Sequence, residues 1–355
     1  VTLASPLVVA PMAGMTDSAF RRLVKREGGC GLVVTEMVSS EGLVRGIDRT
    51  LEYAEYTEEE RPVSIQIFGG DPAKMAAAAQ IVEGMGADIV DVNMGCPVPK
   101  IARHSAGCSL MRDPDHAAAV IRAMTRAVSI PVTVKMRAGW NDRSRNAPEL
   151  ARMVQDAGAA AVTIHGRTAE QSYSGWADWD LVARVAGELS IPVLGSGDCT
   201  EPAHVLERMS SGVSGVLVGR GVLRNPWILA QTVDMLAGRP ARTVTLEARG
   251  RFLLEYIEML LHERIDEAAG FRHLAPGCDA GAAPAVEEPR SDARRRERWV
   301  INKLRALCSW YSKGLDGGSA LRVRVNQAQS LTELRDIVHG FFAASGETEN
   351  AHLTP

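Results

Sequence analysis

The 355-residue chain predicts an α/β protein, a (β/α)8 TIM barrel followed by a smaller all-helical C-terminal domain. Two patterns predict it. From residue 7 to about 237, short β-branched runs alternate with longer amphipathic stretches, the signature of strands each followed by a helix. After Gly238-Arg239-Pro240 the strand-like runs stop and helical periodicity continues alone. No G-x-G-x-x-G follows the first run, which disfavours an open doubly wound sheet.

The strand-like runs are 7–10, 32–35, 63–67, 88–92, 132–136, 161–164, 192–194 and 215–218. Between them, 17–27, 72–84, 114–128, 147–157, 179–186 and 202–209 carry helical patterns. Eight strands, each with its helix or loop, are what a closed parallel barrel requires. Further on, 246–267, 298–311 and 331–342 are apolar at helical spacing. Residues 276–290, rich in Ala, Gly, Pro and Glu, read as a loop. The expected organisation is a cofactor-binding barrel over 1–240 and a helical domain over 241–345. A flexible loop is expected near 275–293, and a disordered tail over 346–355.

Apolar residues at 46% and charged residues at 23% leave room for a sizeable buried core. The formal net charge of −3 neither indicates nor excludes a nucleic-acid partner, because distribution outweighs the sum. No charged-then-apolar leader and no run of about 18 apolar residues is visible, so a soluble, cytoplasmic protein without membrane contact is expected. The six cysteines form no C-x-x-C pair and no metal-like cluster. Reduced thiols and no metal are the expectation.

In a barrel, chemistry gathers where the strands end. The first strand ends in Pro11-Met12-Ala13-Gly14, a compact turn whose backbone can approach a planar ligand. The third carries Gln66, and the fourth runs Asp91-Val92-Asn93-Met94-Gly95-Cys96-Pro97. The fifth carries Lys135 and then Arg137, and the sixth ends His165-Gly166-Arg167. The last two lead into Gly195-Ser196-Gly197-Asp198 and Gly219-Arg220-Gly221. Those two glycine-rich loops stand where such barrels usually hold phosphate, and with Arg220, Lys135 or His165 they predict a phosphate-bearing cofactor. Blander roles exist for each: Lys135 could pair with a carboxylate, His165 could satisfy a carbonyl, and Gln66 alone decides nothing.

Taken together, these motifs resemble the tRNA-dihydrouridine synthases of the bacterial branch. The matching stretches are APMAGMTDSAFR (10–21), TEMV (35–38), QIFGGDP (66–72), DVNMGCPVPKI (91–101), PVTVKMRAGW (131–140), IHGRT (164–168) and GVLVGRGVLRNPWI (215–228), with WYSKG (310–314) beyond the barrel. The resemblance implies FMN as cofactor, NADPH as reductant, and reduction of the C5–C6 bond of particular uridines in tRNA. It sets Pro11, Met12 and Ala13 against the flavin ring, with Gln66 and Lys135 on its polar edge. His165, Ser196, Gly197, Asp198, Gly219 and Arg220 fall at the ribityl and phosphate. Asn93 and Tyr173 fall at the target uracil, and Cys96 matches the catalytic cysteine. Two departures stand out. Ser196-Gly197-Asp198 replaces a frequent Asn-Gly-Asp, and Arg305 is followed by Ala306 and Leu307 where many relatives carry Arg-Lys-His.

The chemistry suits a thiol. Reducing uracil adds a hydride to one carbon and a proton to its neighbour. A free thiol with a pKa near ~8.5 is mostly protonated at neutral pH and can give that proton. Cys30, Cys108, Cys199, Cys278 and Cys308 keep the commoner role of buried small hydrophobes. Residues 290–324 hold ten Lys/Arg against three Asp/Glu. Their densest part, Arg294-Arg295-Arg296, Arg298, Lys303 and Arg305, is expected to meet tRNA as a group, the alternative being a solvated helix face. Trp299 and Trp310-Tyr311 are expected in the core of the C-terminal bundle. A monomer is expected. The competing readings are a flavin barrel acting on a free pyrimidine and a non-catalytic RNA-binding barrel.

Overall fold

The computed structural model describes residues 1–102, 105–262 and 290–343. Nine parallel strands run in chain order as β1 (Leu7–Val9), β2 (Leu32–Val34), β3 (Val38–Ser39), β4 (Val63–Phe68), β5 (Ile89–Met94), β6 (Val132–Arg137), β7 (Ala161–His165), β8 (Val193–Ser196) and β9 (Gly215–Val218). Their order is β2-β1-β9-β8-β7-β6-β5-β4, and pairing of Val33 in β2 with Val63 in β4 closes the ring. The eight expected strands therefore form an eight-stranded TIM barrel. The ninth, β3, is a two-residue addition against the end of β4, with Val38 opposite Ile67.

β1, β2 and β9 read as unbroken apolar runs because both faces are covered. Val8, Ala10, Leu32, Val34, Ile89 and Leu217 form a separate inner cluster, whereas Leu7, Val9, Val33 and Val216 join the layer under the helices. Side chains alternate along a strand, so the inner positions of β4 to β8 include Gln66, Asp91, Asn93, Thr133, Lys135, Arg137, Thr163, His165 and Ser196. Their registers agree: Gln66 pairs with Asp91, Asn93 with Lys135, Arg137 with His165, and His165 with Ser196. One polar ring results at the C-terminal end of the barrel.

The helices start where the sequence supplies caps. Asp17, Asp71, Asp113 and Asp178 each accept backbone N–H bonds from the first turn that follows, and Pro72 and Pro114 occupy first-turn positions that lack an N–H partner anyway. Helix bounds agree with the sequence pattern within a residue or two over the barrel. Beyond β9, the described residues are helical at Arg220–Arg224, Ile228–Leu236, Leu246–His262, Arg290–Tyr311, Gly318–Gln327 and Leu331–Ala343.

The helix expected over 298–311 begins eight residues earlier, inside the span expected as loop. Arg294-Arg295-Arg296-Glu297 are good helix formers, and the Gly/Pro-rich composition ends before them. The rest of that expected loop (275–289), the end of the helix expected to reach 267 and the tail at 346–355 lie outside the described residues.

Of the three expected bundle aromatics, Trp310 packs half-buried against the core and only Tyr311 is fully buried in it. It stacks on Phe252 with centroids 5.8 Å apart, and its hydroxyl donates to the Arg249 carbonyl. Val300, Leu304, Leu307 and Tyr311 make the buried stripe of their helix. That spacing turns Trp299, Lys303 and Trp310 onto a neighbouring face. Trp299 is exposed, and Trp310 is half-buried.

Candidate active site

A cleft of about 610 Å³ opens at the C-terminal ends of the strands, within the size range of small-molecule sites. The residues expected at the cofactor, the uracil and the proton transfer all line it: Pro11, Met12, Ala13, Gln66, Asn93, Cys96, Lys135, His165, Tyr173, Ser196, Gly197, Asp198, Gly219 and Arg220. Met15, Met37, Arg137 and Trp310 also line it.

The Cys96 side is a connected hydrogen-bond chain. Thr133 Oγ1 donates to Asp91 Oδ1 (2.5 Å), Gln66 Nε2 donates to Asp91 Oδ2 (2.7 Å), and Asn93 Nδ2 donates to Gln66 Oε1 (2.8 Å). Asn93 Oδ1 then accepts from the N–H groups of Gly95 (3.1 Å) and Cys96 (2.9 Å). From the other side, Arg137 Nε donates to the Gly95 carbonyl (2.8 Å) while its Nη1 holds the carbonyls of Thr168 and Ser172. The turn carrying the thiol is thus clamped at both its amides and its carbonyl. Cys96 is half-buried. Burial pushes its thiol pKa up, against a backbone hydrogen bond at Val98 and the Arg137 charge, so the sulfur carries its proton at neutral pH.

The opposite side is cationic. Lys135 lies inside the barrel and makes no hydrogen bond or ion pair among the described residues. Burial, helped by Arg137 and opposed by Asp91, brings its pKa down to about 8. His165 is pushed down to about 2 by burial and then by Lys135, Arg137, Arg167 and Arg220. It is therefore a neutral imidazole, able to donate one hydrogen bond. With Lys135, Arg137, Arg167 and Arg220 set against Asp91 and Asp198, cations outnumber carboxylates here, an excess that a bound anion would offset.

The two glycine-rich loops meet at this side. Gly197 and Asp198 take φ of +126° and +54°. A Cβ on Gly197 would come within 2.6 Å of the Ala177 side chain, so only glycine fits there. The Asp198 carboxylate is engaged within the protein. It accepts from Arg167 Nη2 (2.6 Å) and from the Ala177 N–H (2.7 Å), with Arg220 Nη2 at 3.7 Å. The Arg167–Asp198 pair also carries the loop below the mouth, since Arg167 donates to the carbonyls of Ser174 and Gly175. Tyr173 stands on that loop, 58% exposed, with the Arg220 guanidinium 4.6 Å from its ring centroid.

A model of the family described as "Dihydrouridine synthase (Dus)" matches residues 8–283. The chain belongs to this family. It is 42% identical over 290 residues to "Probable tRNA-dihydrouridine synthase" of Rhodobacter capsulatus, covering 80% of this chain and 89% of that protein. It is 34% identical over 351 residues to the protein of the same name in Rickettsia conorii, covering 98% and 96%. With "tRNA-dihydrouridine synthase B" of Xanthomonas campestris pv. campestris it shares 41% identity over 237 residues, 66% of this chain and 71% of that one.

In this dihydrouridine synthase family member the sequence reading left several side chains without a role. Arg137 and Arg167 follow strands and face inward by alternation, a signal that was available. Met37 and Trp310 carry no such signal, because only the tertiary fold brings them to the cleft. The basic cluster divides. Arg294, Arg295 and Arg298 are exposed. Arg296 donates to the Leu260 carbonyl, and Arg305 to those of Val325 and Ala328, so both hold helices together. Lys303 reaches the barrel. Among the described residues no helix is long and apolar enough to cross a membrane, and no group of three or more His, Cys, Asp or Glu could hold a metal ion.

Proposed function

We propose that this protein reduces the C5–C6 double bond of uridines in tRNA to dihydrouridine, with FMN bound in the barrel cleft, NADPH as reductant and Cys96 as the proton donor. Family membership and the names of the relatives support the reaction and the tRNA substrate. The observation that carries the cofactor is Lys135, a half-buried cation without a hydrogen-bond or ion-pair partner among the described residues, facing one cleft with a protonated thiol.

Pro11, Met12 and Ala13 would form the wall for a flat ring, with Gln66 and Lys135 at its polar edge. The neutral His165, Ser196, the backbone of Gly197, Asp198 and Gly219, and Arg220 would receive the ribityl chain and phosphate. Reduced by NADPH, the bound FMN would supply the hydride. Lys135 would counter negative charge on the ring edge, where a dry site strengthens the attraction.

Cys96 transfers its proton to the neighbouring carbon of the uracil, so hydride and proton together saturate the double bond. The resulting thiolate regains a proton from water, which a half-exposed position allows. Asn93 and Tyr173 border the space left for the pyrimidine, Asn93 by way of the turn it holds. A uridine stacked in folded RNA must be drawn out to arrive there. The exposed Arg294, Arg295 and Arg298 offer phosphate contacts for that grip, which makes the region after residue 240 the tRNA-holding part.

The test is direct. Purified protein with an unmodified tRNA transcript and NADPH should be yellow and should yield dihydrouridine by mass spectrometry. A protein that leaves the transcript unchanged but reduces free uridine would replace this reading with a small-pyrimidine reductase.

A further inference from the structure

Lys303 belongs by sequence to the basic cluster expected at RNA, yet the fold turns it inward. Its Nζ lies 2.9 Å from Asp17 Oδ2 and 3.7 Å from Glu36 Oε1, and it donates to the Gly14 carbonyl at 2.9 Å. All three side chains are largely buried, at 13% exposure for Lys303, 17% for Asp17 and 7% for Glu36. A second residue of the helical region joins it, since Tyr256 donates its hydroxyl to Asp17 Oδ2 at 2.7 Å.

What these two residues hold is the loop after β1. Met12 and Ala13 line the cleft, and Gly14 is the apex of their turn, with φ +79°. The Gly14 N–H donates to Glu36 Oε2 (2.5 Å), and the N–H groups of Met15 and Thr16 donate to the Met12 carbonyl. Asp17 Oδ1 caps the helix that follows, and Arg21 Nη1 donates to the Thr16 carbonyl. The barrel's own residues thus fix the ends of the turn, and Lys303 supplies the cation between the two carboxylates at its apex. Burial alone would lower the Lys303 pKa, but Asp17 and Glu36 outweigh it and hold the ammonium charged.

We propose that Lys303 is a positioning residue for the reaction: it sets the Met12–Gly14 wall of the cleft from the helical region, so that this region shapes the cofactor side of the site as well as holding RNA. The inference deepens the proposed function and rests on it where the cofactor is concerned. Without Lys303, Asp17 and Glu36 would lose the cation between them, and the apex carbonyl of Gly14 would lose its hydrogen bond. A neutral isostere leaves the rest of the network in place.

The test compares full-length Lys303→Met and Lys303→Arg with the parent protein. Hydrogen exchange of the amides of residues 12–16 needs no ligand. Those amides should exchange about tenfold faster or more in Lys303→Met, the loss expected for a charged hydrogen bond, while the barrel strands keep their protection. FMN affinity should fall by a similar factor with an altered visible band, the tRNA KM should stay within about twofold, and Lys303→Arg should restore all three. A Lys303→Met protein with unchanged exchange and FMN affinity would overturn the inference. So would one whose only change is a raised tRNA KM, or one that loses protection throughout and is not rescued by Arg. A colourless parent protein would instead refute the flavin reading, and the exchange comparison would still decide whether Lys303 sets the loop.

Discussion

Across one cleft, two walls handle polar groups in opposite ways. On the β5 side, Thr133, Asp91, Gln66, Asn93 and the Gly95–Cys96 amides run as an unbroken chain of donors and acceptors. On the β6 side, one strand away, Lys135 ends on nothing among the described residues. The first wall is joined by hydrogen bonds within the protein, leaving a ligand only the spare capacity of groups such as the second N–H of the Gln66 amide. The second is completed only when an anion or a strong acceptor arrives. A group meant to stay in one place while bonds change is held by the protein itself, and a group meant to bind is left unsatisfied until its ligand is there.

Removing the waiting charge breaks the comparison most severely. Lys135→Met should lower FMN affinity by roughly a hundredfold, the scale of a buried charged contact, as read by flavin retention after gel filtration. The same substitution should raise the thermal midpoint of the flavin-free protein, because a desolvated ammonium without a hydrogen-bond partner is lost. The sign with pH follows from the depressed pKa. Between about 8 in the fold and 10.5 in the unfolded chain, the unfolded state binds the extra proton, so the flavin-free protein gains stability as pH rises through that window. Lys135→Met should flatten that part of the midpoint-against-pH curve, and an unchanged slope would mean Lys135 has a partner.

On the self-contained wall the expected effect is smaller and of another kind. Asn93→Ala removes the two bonds that aim the Cys96 turn, so kcat should fall about tenfold to a hundredfold with FMN affinity kept within about twofold. If flavin is lost instead, the two walls are not separable in the way proposed. The outer surface should matter least. Changing Arg294, Arg295 and Arg298 together to Ser should raise the tRNA KM about fivefold to tenfold and reduce the salt dependence of binding by up to about three ions, leaving the flavin band alone.

Much of this contrast was legible in the sequence, for a local reason. Alternation along a strand sends Lys135 and Arg137 to one face, and a Gly-Cys-Pro turn after a strand puts the thiol at the mouth. The eight-strand rhythm is equally local. What stayed hidden depends on contacts between distant positions. Arg167 meets Asp198 only because β7 and β8 are neighbours, and Lys303 meets Gly14 across 289 positions. In sequence Lys303 sits among arginines and looks like one more surface charge. Trp310 packs against the core as expected, but its place in the lining of the cleft depends on the same kind of distant contact. The helix Gly318–Gln327 begins with glycine and has no side-chain N-cap hydrogen bond, so neither of the usual start signals marked it.

The central claim is that Cys96 gives the proton to a pyrimidine reduced within this cleft. It is tested most directly by reducing the flavin of the parent protein and of Cys96→Ala with NADPH, removing oxygen, and mixing each with unmodified tRNA while following flavin reoxidation and dihydrouridine together. The account predicts equal flavin loading and equal tRNA affinity, with dihydrouridine formation in Cys96→Ala slower by about a thousandfold or more, in line with the loss of a positioned acid. Dihydrouridine appearing in Cys96→Ala at the parent rate would contradict it.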